Sequence, residues 1–262
     1  MTDLERILGD TGVPTGQLPL FRRYFELLVE RNRVMNLTTI TDEASVARLH
    51  FLDSLALVPF LCSELENTAA QRNMEPLRLV DVGSGAGFPG LPLAIAMPQM
   101  RVTLLDATQK RVDFLCEVAD TLGLENVAAV CGRAEEFGAA NAKIVSRETI
   151  WGAETEVAEN VSRETFSIAT ARAVARLGEL CELCLPLVAV GGAFVAMKSV
   201  DTNAEIAGAA TAIELLGGSV ERVQDYEIAG ADVRHRLIVV RKNAPTPSRF
   251  PRRYAKMQKQ PL

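Results

Sequence analysis

Long apolar runs are scarce in this chain. In its second half the longest stretch without a charge, Leu183 to Met197, is cut by Pro186 and by the Gly191-Gly192 pair. A spanning helix needs about 20 apolar residues, so no membrane partner is expected. The opening Met1-Thr2-Asp3-Leu4-Glu5 has neither the basic nor the apolar region of a secretory signal. Cysteine is sparse, odd in number and scattered, at positions 62, 116, 131, 181 and 184. That excludes a disulfide framework and points to reduced thiols in a cytoplasm. Cys181-x-x-Cys184 lacks a second pair or a nearby histidine and is read as part of a helix, so no metal is expected. His235, between Arg234 and Arg236, is read as a surface residue at the start of a strand. Acid is missing from residues 244–262, which hold Arg249, Arg252, Arg253, Lys256 and Lys259. The tail has five of the 28 basic side chains, so the rest of the chain sets 23 against all 33 acids. An acidic body with a basic tail suggests an arm for phosphates. The competing reading is packing, with Phe250 and Tyr254 pinning the tail down.

What the chain has is apolar residues, 48% of its 262, and 23% charged, enough for a buried core. Residues 1–70 read as a helical cap. One helix is expected over Leu18–Asn32, then a loop at 33–40, then a helix capped by Asp42 that carries His50 and Asp53 on one face. Residues 66–76 read as a linker. From there strands and helices alternate. Strands are expected at 77–82, 101–106, 126–131, 166–171 and 193–198, and helices at 89–97, 109–122, 177–188 and 203–216. The last two strands, 220–228 and 236–241, form a hairpin. Alternating βα units require a mostly parallel sheet covered on both faces. The α/β domain is bounded at 77–242, with an insertion at 138–164 and the basic tail at 243–262.

Asp81-Val82-Gly83-Ser84-Gly85-Ala86-Gly87-Phe88-Pro89-Gly90 follows the first strand and opens a helix. Glycines there allow positive φ and let a ligand lie against the backbone. Gly85 to Gly90 fits the dinucleotide pattern G-x-G-x-x-G, and Gly83 to Gly87 fits an S-adenosylmethionine loop. In either case Asp106, ending the next strand, is placed to bind ribose hydroxyls. The terminal hairpin, and the lack of room for a dehydrogenase substrate domain, favour the methyltransferase.

Several further stretches resemble one family, the ribosomal RNA small subunit methyltransferase G family. They are Asn36-Leu37-Thr38, His50 with Asp53-Ser54-Leu55, Asp81 through Leu93, and Leu104-Leu105-Asp106. Lys110-Arg111, Phe114-Leu115, Arg133-Ala134-Glu135-Glu136, Ala171-Arg172-Ala173 and Gly191-Gly192 with Lys198 continue the match, which ends in Thr246-Pro247-Ser248 and Pro251-Arg252-Arg253 to Pro261-Leu262. The resemblance implies a Rossmann-like class I fold with a seven-stranded sheet and S-adenosylmethionine as cofactor. It also implies methylation of guanine N7 in the 530 loop of 16S ribosomal RNA, free or in the small-subunit particle. By that resemblance Gly83 and Phe88 contact the cofactor, Ala134 and Glu135 sit beside its adenine, and Arg172 stands at the pocket. Gly85 joins them by its place in the loop. His50 and Asp53 are expected at the substrate mouth, and Arg172 or Lys198 to donate to guanine O6 or a phosphate. No stable protein partner is implied. Guanine N7 has a free lone pair, so no general acid or base is assigned.

The insertion repeats a pentapeptide: Val145-Ser146-Arg147-Glu148-Thr149 returns as Val161-Ser162-Arg163-Glu164-Thr165. Long surface insertions cost little. The codons GTT-TCA-CGT-GAA-AC also encode this pentapeptide and form a perfect palindrome resembling a bacterial centromere element. That suggests a role at the DNA level, which synonymous codons breaking both palindromes would disprove.

Overall fold

The computed structural model describes residues 1–70, 76–139, 163–172 and 175–262. The N-terminal helices are α1 (Asp3–Asp10), α2 (Leu18–Met35), α3 (Glu43–Val46), a π-helical stretch Ala47–Leu52, α4 (Asp53–Leu55) and α5 (Val58–Ala70). Helix α2 runs past its expected end, and Asn36, with φ 50°, stops it in the left-handed conformation that asparagine tolerates. Asp42 caps α3 as expected, accepting from Ser45 N at 2.9 Å. Helix α5 enters the expected linker, whose residues 71–75 lie outside the described residues. The stretch Glu43–Asn67 is long and apolar enough to cross a membrane by length and composition alone. Here its Val46, Phe51, Leu57, Phe60 and Leu61 are buried in the core.

The sheet contains β1 (Arg78–Val82), β2 (Arg101–Asp106), β3 (Val127–Cys131), β4 (Phe166–Arg172), β5 (Val188–Ser199), β6 (Gly218–Glu227) and β7 (Arg234–Lys242). Their order is β3-β2-β1-β4-β5-β7-β6. The first five pair in parallel, and β7 joins β5 and β6 antiparallel. The intervening helices are α6 (Gly90–Ala96), α7 (Gln109–Leu122), α8 (Ala134–Phe137), α9 (Leu177–Cys184) and α10 (Asn203–Leu215), with α11 (Tyr254–Lys259) in the tail. The expected helix through Val188 ends at Cys184 in a short 3-10 turn, Leu185–Leu187, because Pro186 cannot continue it.

Side chains alternate across each strand, which sorts them into two cores. Leu79, Ile168, Val195, Met197, Leu237 and Val239 face α6, α7 and the N-terminal helices. Val80, Ala169, Phe194, Ala196, Ile238 and Val240 face α9, α10 and the tail. Among the described residues the N-terminal helices have no core of their own. Leu4, Phe21, Tyr24, Leu28 and Phe51 belong to the same cluster as the first sheet face. The cap is therefore the roof of that face.

The basic tail is docked. Phe250 and Met257 are buried, and Arg252 donates to the buried Glu182 from Nε at 2.7 Å and from Nη2 at 2.6 Å. Arg249, Arg253, Lys256 and Lys259 are exposed. Most of the 138–164 insertion lies outside the described residues, but its base is anchored. Arg163 donates to the carbonyls of Gly138, Thr246 and Phe250, and Glu164 accepts from Thr246 N at 2.8 Å. These two residues of the second pentapeptide thus hold the tail at the protein level.

Candidate active site

The glycine loop sits between two carboxylates. Asp81 Oδ2 accepts from Gly90 N at 3.0 Å, and Asp106 Oδ2 accepts from Gly85 N at 3.0 Å. Asp106 Oδ1 also takes Thr108 N at 2.8 Å. Asp106 is buried at the carboxyl end of β2 and its contacts shape the loop, a role the sequence did not indicate. Two glycines have different reasons for being there. A Cβ on Gly87, at φ 103°, would stand 2.4 Å from Leu91 Cδ1 and 2.6 Å from the Tyr24 hydroxyl. A Cβ on Gly85, at φ 59°, would meet nothing nearer than Gly83 O at 3.9 Å. Gly87 is needed by the protein, whereas Gly85 faces open space that a ligand can use. Asp81 Oδ1 is buried without a partner. An open glycine face and an orphaned carboxylate oxygen fit a ligand with a cationic amino group, such as the methionine part of S-adenosylmethionine.

The expected outcomes differ accordingly. Gly87→Ala should destabilise the fold by about 1–3 kcal/mol through overpacking. Gly85→Ala should cost stability only about 1–2 kcal/mol, the strain of a left-handed backbone, and weaken cofactor binding. Thermal unfolding and calorimetry on both variants check the contrast, and equal cofactor affinity of Gly85→Ala and the wild type would contradict it.

Beside the loop, Arg172 ends β4 and points to the roofed face. Its Nη1 donates to Asp53 Oδ2 at 2.9 Å and to Leu49 O at 3.2 Å, and its guanidinium lies 5.0 Å from the Phe88 ring centre. His50 stacks on the same Phe88 ring, at 4.5 Å between centroids. Its Nδ1 is 3.1 Å from Leu49 O and its Nε2 2.8 Å from the Thr38 hydroxyl. Burial, reinforced by the charge of Arg172, lowers its pKa to about 4, so His50 is neutral. Asp53 is the hub. Its Oδ1 accepts from the Tyr226 hydroxyl and from His235 Nδ1, each at 2.7 Å. Burial pushes its carboxyl up, but the His235 hydrogen bond, the Arg172 charge and the Tyr226 hydroxyl outweigh that and hold it below the usual range.

Sequence reasoning placed His235 on the surface and passed over Tyr226. Both belong to this cluster. The signal was present: His235 shares the strand parity of Leu237 and Val239, which face the roof. Lys198 goes the other way. It shares the parity of Phe194 and Ala196, and its Nζ is bound to Ala175 O at 2.8 Å and Glu205 at 2.7 Å. The structure does not bring Lys198 to Arg172. Ala134 and Glu135 open α8 just after β3, at the same carboxyl edge as the glycine loop. Arg252 is committed to Glu182 on the far face. Cys181 and Cys184 are buried, and burial pushes both thiols well up, so each stays protonated. Among the described residues no cluster could hold a metal.

The sequence pattern of rRNA small subunit methyltransferase G matches residues 17–235. The chain belongs to that family. It is 42% identical over 258 residues to the ribosomal RNA small subunit methyltransferase G of Leuconostoc citreum, covering 97% of this chain and 96% of that one. Against the same enzyme of Staphylococcus carnosus it is 41% identical over 242 residues, covering 92% and 89%. Among solved structures it is similar to TYW2 of M. jannaschii in complex with AdoMet, at a TM-score of 0.46 and 14% identity, covering 68% of this chain and 73% of that one. Family and sheet order together make the enzyme a class I ribosomal RNA methyltransferase, with S-adenosylmethionine as its cofactor.

Proposed function

We propose that the enzyme methylates N7 of a guanine in the 530 loop of 16S ribosomal RNA, in the cytoplasm. The observation carrying this reading is that the groups around the loop that could act as a base are either engaged within the chain or set aside for the cofactor. Both nitrogens of neutral His50 have partners and Asp53 receives Arg172, Tyr226 and His235, while Asp81, whose Oδ1 has no partner in the chain, lies buried beneath the loop where the cofactor's amino group would take it up. A site without a free base suits a nucleophile that has no proton to lose. Guanine N7 is such an atom, whereas an exocyclic amine must shed a proton.

The cofactor supplies an electrophilic methyl group. The chain's own residues position and exclude. Gly83, Gly85 and Phe88 form the cradle, Asp106 and Glu135 face the ribose and adenine ends, and Asp81 receives the amino group. Asp53 holds Arg172 so that its guanidinium covers Phe88 and closes the pocket beside the target base. Alignment of this kind can supply about 7–11 kcal/mol of a barrier. The test is mass mapping of 16S ribosomal RNA from cells with and without the enzyme. Loss of one methylguanine in the 530 loop is the expected result, and an unchanged map would overturn the reading.

A further inference from the structure

A groove of about 870 Å³ opens on the sheet face opposite the Arg172 cluster, between α9, α10 and the tail. That volume lies within the range of ligand pockets, about 300–1,000 Å³. Its floor is made of small residues, Gly178, Ala204, Gly208 and Ala209, so a flat ring can come close to both helices. Its charges are largely spent on each other: Lys198 on Glu205, Arg252 on Glu182. Glu179, held by Gln258 at 2.8 Å, is left over as an acid, and a polar interior of this kind suits a nucleobase better than a phosphate, because carboxylates accept from base amino groups. The phosphate-seeking charges stand outside. Arg176 is exposed at the mouth, and α11, which forms one wall with Met257 and Gln258, carries the exposed Lys256 and Lys259.

The groove also adjoins the active site along the chain. Arg172 ends β4 and reaches Asp53 and Phe88 beside the glycine loop, and Ala175 and Arg176 line the groove. Four residues extend at most about 14 Å, so the groove's Arg176 edge is within that distance of Arg172 along the chain.

We propose that the α9–α10–tail groove holds bases of the single-stranded RNA flanking the methylated nucleotide, with its phosphates on Arg176 and the exposed cations of α11. This rests on the RNA methyltransferase reading and adds to it a second RNA site, on the face away from the cofactor. It also gives the tail a role that charge alone does not: the tail builds a wall as well as carrying cations.

The test fills the groove without touching the cofactor site. A Cβ on Gly208 meets nothing within 4 Å, and Gly208 is exposed within a helix, where larger residues are tolerated. Gly208→Phe is expected to keep the melting temperature and the S-adenosylmethionine affinity of the wild type. It should raise the KM for small-subunit ribosomal RNA, taken from cells lacking the enzyme, at least tenfold. Gly208→Ala, which leaves the groove open, should behave as wild type. Ala204→Trp fills the groove from another exposed position and decides the matter if Gly208→Phe unfolds. An unchanged KM in a folded, groove-filled variant overturns the proposal. So does a loss confined to whole particles with naked RNA unaffected, because the occupant would then be a ribosomal protein. Absence of transfer by the wild type itself would instead remove the RNA methyltransferase reading.

Discussion

Replacing Arg252 with glutamine is expected to destabilise the enzyme by about 3 kcal/mol, the low end of what breaking a buried ion pair costs. Glu182 is 1% exposed, and its carboxylate takes the Arg252 backbone N at 2.8 Å as well as two guanidinium nitrogens. Without the guanidinium the buried carboxylate loses its counter-ion and two of its hydrogen bonds. The tail should loosen with it, since Arg252 Nη1 also donates to Gln260 O at 2.8 Å. Arg252→Lys should recover only part of the loss, because an ammonium cannot make the two-pronged contact. By contrast, turning Arg249, Arg253, Lys256 and Lys259 to glutamine together removes exposed charges and should move stability little. It should lower RNA affinity and flatten its salt dependence, by about 0.7 in slope for each single-strand phosphate no longer neutralised. Denaturant unfolding and RNA titration across salt separate the two effects. Equal melting of Arg252→Gln and wild type would show that the pair does not hold the tail.

This division of five charges into one anchor and four exposed cations shows where sequence reading stops. Composition reveals that residues 244–262 are basic. It does not reveal that Glu182, the buried one of the two acids in α9, lies beneath them between leucines and cysteines. That acid was itself a signal: a carboxylate among Leu180, Cys181, Leu183 and Cys184 needs a cation. The sheet was far more legible, because parallel strands buried on both faces read as apolar runs and glycines mark where they end. Strand β2 and helix α7 match their expected limits. The glycine loop and its two acids were legible for the same local reason. Asp53's partners Tyr226 and His235 were not, since they arrive from 173 and 182 residues away. Lys198 was assigned to the pocket by its place at a strand end, while strand parity already sends it to the other face.

Asp81 and His50 are expected to tilt the stability of the enzyme against pH in opposite directions. Burial raises the Asp81 carboxyl from 3.8 to about 7, with Arg172 opposing and Asp106 adding to the rise. The native state then keeps a proton that the unfolded chain has already lost. Stability falls as pH rises from about 4 to about 7 and is level above, by roughly 4 kcal/mol over the full window. Burial and Arg172 lower His50 from 6.5 to about 4, with Leu49 O and Asp53 opposing. There the unfolded chain takes a proton that the native state refuses. Stability is lost as pH falls from about 6.5 to about 4, by at most about 3 kcal/mol. Between about pH 4 and 6.5 the two slopes largely cancel in the wild type, and only the fall toward pH 7 from Asp81 remains. Each substitution should expose the other group. Asp81→Asn should leave stability climbing with pH up to about 6.5, and His50→Gln should leave it falling from about pH 4 onward. Denaturant unfolding of the three proteins across about pH 4 to 8 reads this directly as differences from wild type, in which the remaining titrating groups cancel. An Asp81→Asn profile parallel to wild type would mean that Asp81 is already ionised beneath the loop, with its charge met by Arg172. The orphaned oxygen would then be an anion waiting for the cofactor's amino group, and cofactor affinity would show no proton uptake or release near neutral pH.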